Sequence, residues 1–500
     1  MQACRTRVRL PLLLSLILGA CAVGPDFQRP GTVGTGTYTE SPLPRQIASP
    51  ESSIAGETQN LRTGNDLIHD WWTLFRSEAL NQLVEQALRE NPGLAAASAA
   101  LRQAQENLKV GQGNLLLPAI NGQLGASRER VAGAQFGQPQ LSSTFSLFNA
   151  QVNVTYTFDL FGSLRRQLEA LQAQVDYQQD QLRATQLALT ANIVTAVIRE
   201  SALREQIRAL RDVERLQRSG LEIVERRFDM GAVTRSDVLA QRTALAQTVG
   251  LIPPLERLLA QTHHQLAVYV GKAPSELESA SFVVSQLQLP VDLPVSVPSD
   301  LVHQRPDILA AESLLHAASA QVGVATANLY PQLTLGGNVG YTALSLNQLF
   351  TPDSLAWGIS ASLAQPIFHG GALAAQRRAA IAAFDEAAAV YRQTVLTAFA
   401  NVADALRALE FDAQALSAQA DAYAQAQAAE ELAQSQFDNG SISYLSLLTA
   451  QQQYAQAAVA VVQARADRFA DTAALFQALG GGWWNVAQPQ APAKPLARAE

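Results

Sequence analysis

Phe228-Asp229-Met230-Gly231 returns later in the chain as Phe437-Asp438-Asn439-Gly440, and each copy closes a long run of helix-forming residues. Upstream of the first copy lie Asn91-Pro92, Pro118 and Asp159-Leu160-Phe161-Gly162. Upstream of the second lie Arg305-Pro306-Asp307, Pro331 and Ile367-Phe368-His369-Gly370. Corresponding positions are about 208 to 214 residues apart. A repeat of this size is a whole supersecondary unit, here helix, strand, turn, strand and very long helix, and it implies two-fold pseudosymmetry in the fold. The first repeat is read as 71–270 and the second as 305–480, with a linker at 271–304.

The runs before the two breaks have an extreme composition. Residues 163–219 and 372–439 contain neither Gly nor Pro and are rich in strong helix formers. Helices are expected over about 163–219 and about 371–439, on the order of 85 Å and 100 Å long at 1.5 Å per residue. Helices in compact domains average about 11–12 residues, so a coiled-coil-like or tubular structure is expected. The second run is dominated by Ala, which lets helices approach closely. Its interleaved Gln and Asp suit two wet faces, one of them lining a cavity.

Four other segments alternate strictly between apolar and small or polar residues. Ile120, Leu124 and Ala126 alternate with Asn121, Gln123 and Ser127; Val152, Val154, Tyr156 and Phe158 alternate with Asn153, Thr155 and Thr157. The second repeat does the same with Leu333, Leu335, Val339 and Tyr341, and with Trp357, Ile359, Ala361 and Leu363. Strands are therefore expected at about 118–128, 150–159, 331–342 and 356–367, joined in pairs by polar loops. Their length suits a tilted strand crossing a bilayer, and one apolar face with one wet face suits a membrane barrel. A soluble sheet with one solvated face alternates identically. In lipid, four strands leave two unpaired edges, so the barrel must close with further copies. Two copies give eight strands, a number whose interior side chains usually fill, whereas three give twelve and begin to leave a lumen.

The amino terminus reads as a targeting segment. Arg5, Arg7 and Arg9 precede the short apolar run Leu10–Leu18, and Leu18-Gly19-Ala20-Cys21 follows. Residues 1–20 are read as a lipoprotein signal peptide and Cys21 as the lipidated first residue of the mature chain. Ala22 stands where an inner-membrane retention signal would place Asp, which favours the outer membrane. Residues 21–70 read as an acylated extended tail and 481–500 as a C-terminal tail. The chain's two cysteines both lie within the first 21 residues, so no disulfide framework is expected. Net charge is −7, which argues against a nucleic-acid partner, and charged residues make up only 16 %, against about 25 % in soluble domains. No later window is apolar enough to suggest a transmembrane helix.

Six motifs together resemble the outer membrane factor family, in its NodT/OprM-type lipoprotein group, with TolC-like channels more distant. They are Cys21-Ala22-Val23-Gly24-Pro25-Asp26-Phe27, Trp71-Trp72-x-x-Phe75, Arg305-Pro306-Asp307-Ile308-x-x-Ala311-Glu312, Asn328-Leu329-Tyr330-Pro331-Gln332-Leu333, Phe437-x-x-Gly440 with Tyr444-Leu445, and Ala478-Leu479-Gly480-Gly481-Gly482-Trp483. The resemblance covers essentially the whole mature chain. It implies a membrane β-barrel combined with a long α-helical barrel, four strands per protomer and a homotrimer with a 12-stranded barrel and a periplasmic coiled-coil tunnel. The linker at 271–304 would then be equatorial. The implied role is the passive exit duct of a tripartite efflux system. It would stand in the outer membrane lipid with a large periplasmic part, docked to a periplasmic adaptor and an inner-membrane transporter of the resistance-nodulation-division type. A TolC-like duct for type I protein secretion is the alternative. No enzymatic activity, cofactor or metal is implied.

The two breaks are the candidate gate and adaptor contacts: Phe228 and Gly231 at the first, Phe437, Asp438, Gly440 and Tyr444 at the second. Glycine supplies the positive φ of a sharp turn after a helix, so a plain helix cap is the other reading of both. Phe228 and Phe437 are expected to pack against the neighbouring helix pair. The second break, with the longer uninterrupted helix, is the one expected to move. Gly440-Ser441-Ile442-Ser443-Tyr444 lacks the carboxylate of an acidic ring, and Asp237 fits either a structural or an adaptor-facing role. Arg305-Pro306-Asp307 is read as a helix start, with Arg305 bridging to the neighbouring repeat. His263-His264 lacks a third ligand at metal spacing, and Trp483-Trp484 is read as packing.

Overall fold

A computed structural model describes residues 22–31, 37–47, 58–64, 67–137, 140, 142–277 and 287–485. The strands are β1 (Gln46–Ile47), β2 (Gln59–Thr63), β3 (Ala119–Val131), β4 (Ser143–Phe158), β5 (Asp292–Val295), β6 (Gln332–Ala343) and β7 (Leu355–Ala364). The α-helices are α1 (Glu78–Glu90), α2 (Pro92–Leu116), α3 (Ser163–Asp229), α4 (Arg235–Val270), α5 (Pro298–Gln304), α6 (Pro306–Ala327), α7 (Ala372–Asp438) and α8 (Tyr444–Ala478). The chain folds as two compact units, and both repeats contribute to each. One unit holds the segment ending at Pro30 with Ala100–Gln179 and Ala310–Arg392; the other holds Gly31–Ala99, Asp180–Leu309 and the chain from Gln393. The units therefore cut across the repeats, because strands pair with strands and helix ends pack with helix ends.

The first unit is built on one antiparallel sheet in the order β3-β4-β6-β7. Its centre joins the two repeats: Val152 lies opposite Val339 and Phe158 opposite Leu333. Apolar residues share one face across all four strands, as in Ile120 opposite Val154, and Leu333 opposite Leu363. Small and polar residues line the other, where Gln151 donates to Gln123 at 3.2 Å. The strands of the first repeat are longer than their alternation predicts: β3 runs on to Val131 and β4 begins at Ser143. Arg128, Glu129 and Arg130 continue the ladder on backbone hydrogen bonds that do not depend on side-chain type.

Residues 22–30, expected as extended tail, form a strap in this unit. Val23 N–H donates to Phe161 O at 3.0 Å. Asp26 pairs with Arg166 at 2.5 Å, Arg29 pairs with Glu312 at 2.5 Å, and Phe27 stacks on His316 at 4.3 Å. Cys21 and the signal segment lie outside the described residues. α6 is the one described helix long and apolar enough to cross a membrane, which the sequence reading did not foresee. Half of its most apolar window is buried; Glu312 on it pairs with Arg29, and His316 Nε2 lies within hydrogen-bond distance of Glu169 Oε1, at 2.8 Å. Those pairs place it against protein, since lipid would leave both groups unpaired.

α3 and α7 are each 67 residues long. α3 passes through Gly220, where the sequence reading ended it. One interior glycine costs about 1 kcal/mol, which packing along a helix of this length offsets. The second unit also holds a small sheet in the order β1-β2-β5, with β2 and β5 parallel; β5 and α5 lie within the expected linker. Its core packs Trp71 against Phe476, with ring centres 5.5 Å apart and planes tilted by 54°, and buries Arg468, whose Nε donates to Gln59 Oε1 at 3.2 Å. Trp483 packs beneath Arg183, with Cζ 3.9 Å from the ring centre.

The sheet predicts a position-specific sensitivity. A Cβ at Gly340 would lie 2.3 Å from Ala150 O and 2.5 Å from Gln151 Cα, whereas one at Gly337 meets only Gly358 O at 3.9 Å. Gly340→Ala is expected to destabilise the sheet by about 1–3 kcal/mol and Gly337→Ala by much less. Thermal melts in detergent followed by circular dichroism test this, and equal melts for the two variants would contradict it.

Candidate functional site

The two Phe-Asp-x-Gly breaks form the same backbone device. At the first, Gly231 N–H donates to Phe228 O at 2.8 Å and Ala232 N–H to Arg227 O at 2.8 Å. At the second, Gly440 N–H donates to Phe437 O at 3.0 Å and Ser441 N–H to Gln436 O at 2.8 Å. Gly231 has φ 74° and Gly440 φ 71°. This is the Schellman closure of a helix, which satisfies its last carbonyls and requires a left-handed residue. The chain then re-enters a helix within a few residues, so α3–α4 and α7–α8 are two helical hairpins with matching tips.

The re-entry caps differ. Thr234 and Asp237 form a capping box: Thr234 N–H donates to Asp237 Oδ2 at 2.8 Å, and Asp237 N–H to Thr234 Oγ1 at 3.3 Å. Asp237 is therefore spent on the cap. At the second tip Ser443 caps α8 by accepting from Ser446 N–H at 3.3 Å, with no carboxylate in the box. Asp438 is exposed, and its Oδ1 accepts from Gln434 Nε2 at 3.1 Å.

The side chains of the tips break the symmetry. Phe437 is 5 % exposed and packs among Val224 and Val238 of the first hairpin and Leu447 and Leu448 of its own. Tyr444 meets its ring edge-on at 5.3 Å. Arg227 covers the other side, with Cζ 4.5 Å from the ring centre and Nη1 donating to Phe437 O at 3.4 Å. Phe228, expected to pack in the same manner, is 41 % exposed. Within one chain the second tip leans on the first hairpin, and among the described residues no third hairpin follows for Phe228 to lean on in the same way. The buried Tyr444 hydroxyl has no hydrogen-bond partner among the described residues, and burial together with the Asp237 carboxylate raises its pKa. The expectation that the second tip moves rested on a longer helix, and the equal lengths of α3 and α7 remove that basis. The Arg227 clamp was not foreseen, because its partners lie on separate repeats.

The remaining candidate residues are accounted for structurally. Pro306 opens α6. Asp307 takes a bidentate pair from Arg305, at 3.0 Å from Nε and 2.6 Å from Nη2, and accepts Ile308 N–H at 3.0 Å. Arg305 Nη1 donates to Ala478 O at 2.9 Å. Its bridge thus reaches the end of α8 within the same repeat and does not reach the neighbouring one. His263 Nδ1 lies 3.8 Å from the buried Glu200. Among the described residues no cluster of His, Cys, Asp and Glu could hold a metal ion.

One further group escaped the sequence reading. Burial pushes the Asp412 carboxyl on α7 up to about 7, with help from a hydrogen bond to Asp471 and the charge of Asp467 on α8; Arg468 opposes the shift. These residues have no sequence signature, since the helix-to-helix contact alone brings them together.

A model of the outer membrane efflux protein family matches residues 83–272 and 297–481, most of both repeats. The chain belongs to that family. It is 32 % identical over 479 residues to the pyoverdine export outer membrane protein OpmQ of Pseudomonas putida, covering 95 % of this chain and 97 % of the relative. It is 29 % identical to nodulation protein T of Rhizobium leguminosarum, covering 96 % and 94 %. The outer-membrane channel OprN superposes with a TM-score of 0.82 at 29 % identity, over 93 % of this chain and all of that one. The Campylobacter jejuni CmeC channel shares the fold, with a TM-score of 0.81 over 92 % of this chain and 95 % of that one. This efflux protein is therefore an outer-membrane exit duct of the NodT/OprM type, with the sheet as its barrel portion and α3, α4, α7 and α8 as its tunnel portion.

The Asp412 cluster sets a pH dependence. An unfolded Asp titrates near about 3.9 and the folded one at about 7, so the fold favours the protonated form. That contribution is fully present below the unfolded value and is lost as pH rises through the folded one. Asp412→Asn is expected to melt above the parent at pH 8 and with it at pH 4. A melting difference unchanged between the two pH values would contradict this.

Proposed function

We propose that three copies of this chain form the exit duct of a tripartite efflux system. The duct receives small molecules from an inner-membrane transporter of the resistance-nodulation-division class through a periplasmic adaptor, and it does no chemistry on them. The observation that carries this reading is the four-stranded sheet with two free edges, β3 and β7, each backed by exposed apolar side chains. Unpaired backbone groups in lipid cost several kcal/mol each, and three copies close a barrel with a lumen. The exposed Phe228 supports the same arrangement, since a neighbouring copy would supply the hairpin it lacks. Cys21 carries the acyl anchor, and the strap from Ala22 holds the chain after it against Phe161 and α6.

The hairpin tips are the entrance and the adaptor contact, and the clamp of Arg227 on Phe437 is the latch of the closed state. A cation over an aromatic face contributes about 0.5–1 kcal/mol at a partly exposed site, small enough for a docked partner to overcome. Export of small molecules is favoured over secretion of a polypeptide by the relatives' own names, which specify pyoverdine and toluene efflux.

The test is purification from outer membranes in mild detergent, native mass measurement and single-channel recording in planar bilayers. A conducting trimer is expected, and a non-conducting monomer would sink the reading. Phe437→Ala and Arg227→Ala are each expected to raise conductance several-fold, with Phe228→Ala nearer the parent. Unchanged conductance in both of the first two would remove the second tip from the gate. Cys21→Ala is expected to lose its acyl chains and stay in the membrane fraction; a fully soluble variant would show that the strands do not span.

A further inference from the structure

The two long hairpins carry titratable contacts at the same level. Gly162, Gly231 and Gly271 lie 209 residues before Gly371, Gly440 and Gly480, and all six share the left-handed conformation. The hairpin α3–α4 therefore matches α7–α8 position for position. In the first, His263 Nδ1 on α4 lies 3.8 Å from Glu200 Oε2 on α3. In the second, Asp412 on α7 meets Asp471 on α8. Carried across the repeat, Glu200 and His263 fall on Leu409 and Thr472, three residues from Asp412 and one from Asp471. The two contacts thus occupy one helical turn of the hairpin, about 5.4 Å. Glu200 stands 29 residues before the end of α3 and Asp412 stands 26 before the end of α7, about 40 Å from the tips at 1.5 Å per residue. The counterparts of Asp412 and Asp471 are Leu203 and Thr262, so the hairpins share the level and differ in its chemistry.

Each contact is short of a proton. Two carboxylates have no donor between them, and the buried Asp412 Oδ2 has no hydrogen-bond partner among the described residues. One proton on the pair supplies the missing donor. Asp467, exposed on α8, adds a like charge, and Arg468 opposes it. Arg407 and Glu410 on α7 pair with each other. Asp471 lines a cavity of about 360 Å³ together with Asn401, Asp404, Gln477 and Arg305, and the exposed Asn401 and Asp404 put it in reach of solvent protons. In the first hairpin the Glu200 side chain is 1 % exposed. Its Oε1 accepts from Arg204 at 2.6 Å and 3.1 Å, and its Oε2 has no partner among the described residues. His263 Nδ1 stops about 1 Å beyond hydrogen-bond distance from that oxygen, and His264 beside it is exposed.

We propose that these contacts are two proton-binding clasps, which hold the outgoing and returning helices of each hairpin together in acid and release them as pH rises, so that the duct opens more readily at alkaline pH. The inference rests on the reading of the tips as a gate and adds to it a regulating ion and the place where it binds. The clasped state binds the proton more tightly, so added protons favour it. Loss of the proton from the second hairpin leaves Asp412, Asp467 and Asp471 as like charges on facing helices. Burial and these neighbours push the Asp412 carboxyl up to about 7, which sets the release near neutral pH. In the first hairpin an imidazolium has a buried carboxylate oxygen to meet and a neutral imidazole has no charge to bring to it; imidazole is the side chain that changes charge in this range. A carboxyl pair and a His–Glu pair thus respond in the same direction. Over about 40 Å of helix, a small tilt at the clasp becomes a displacement of ångströms at the tip.

Single-channel recording of the full-length protein in planar bilayers, with both chambers at pH 6 and then at pH 8, tests the clasps. The parent is expected to conduct several-fold more at pH 8. Asp412→Asn combined with His263→Gln is expected to conduct equally at the two values, because neither replacement titrates. Asp471→Asn removes the same carboxyl pair from the other helix and, combined with His263→Gln, should give the same flat profile, so the test stands if Asp412→Asn does not assemble. Phe437→Ala is expected to raise conductance at both pH values and to keep the parent's ratio; loss of the ratio in that variant would place the pH response at the tip and overturn the clasps. A parent that conducts equally at pH 6 and pH 8, or a double variant that keeps the parent's ratio, overturns the clasps while the duct stands. A protein that conducts at neither pH overturns the duct reading, and the clasps with it.

Discussion

A peptide group in hydrocarbon must find its hydrogen bond within protein, and this protein is organised around that requirement. The sheet of β3, β4, β6 and β7 satisfies every internal ladder and leaves two edges open. Short or heavily charged edge strands would make such edges harmless in a soluble protein. Here β3 is 13 residues and β7 is 10, both carry exposed apolar side chains, and the charges of β3 are confined to Arg128–Arg130 at its loop end. They are built to be covered. The same requirement explains the small residues on the wet face, because a closed ring of strands leaves a lumen only where side chains do not fill it.

The helical part obeys a different constraint. A helix 67 residues long ends with four carbonyls that have no partner within it, and it must reverse sharply to pack on its own return. Both demands meet at Gly231 and Gly440, which adopt the left-handed conformation and close the same hydrogen bonds. The backbone of the two tips is therefore equal, and the difference lies in what the side chains touch. Phe437 is held by Arg227, Tyr444 and two valines of the first hairpin, while Phe228 faces outward. Pseudosymmetry within a single chain is necessarily broken in this way, since two units in a row share one seam and leave the other open.

Much of this was legible in the residues. The absence of Gly and Pro located both long helices, and α7 falls within one residue of its expected ends. Gly220 misled at α3, because a glycine's cost is local and the packing that outweighs it is not. Alternation located all four strands, but it understated β3 and β4 where Arg128–Arg130 and Ser143–Asn149 depart from the pattern and the backbone ladder continues regardless. The Arg305-Pro306-Asp307 motif was recognisable as a helix start, whereas the acceptor of its third hydrogen bond, Ala478 O, was not. The parallel pairing of β2 with β5, the Arg227 clamp and the Asp412–Asp471 contact join residues far apart in the chain, and no local pattern announces them.

The sequence by itself determined the duplication, the helix and strand types, the positions of the turns and the family, because each depends on local backbone preference or on a repeated pattern. Only the tertiary structure decided which strand of one repeat meets which strand of the other, which of two matching phenylalanines is buried, and that α3 and α7 are equally long. Those outcomes follow from packing and from hydrogen-bond closure between segments hundreds of residues apart.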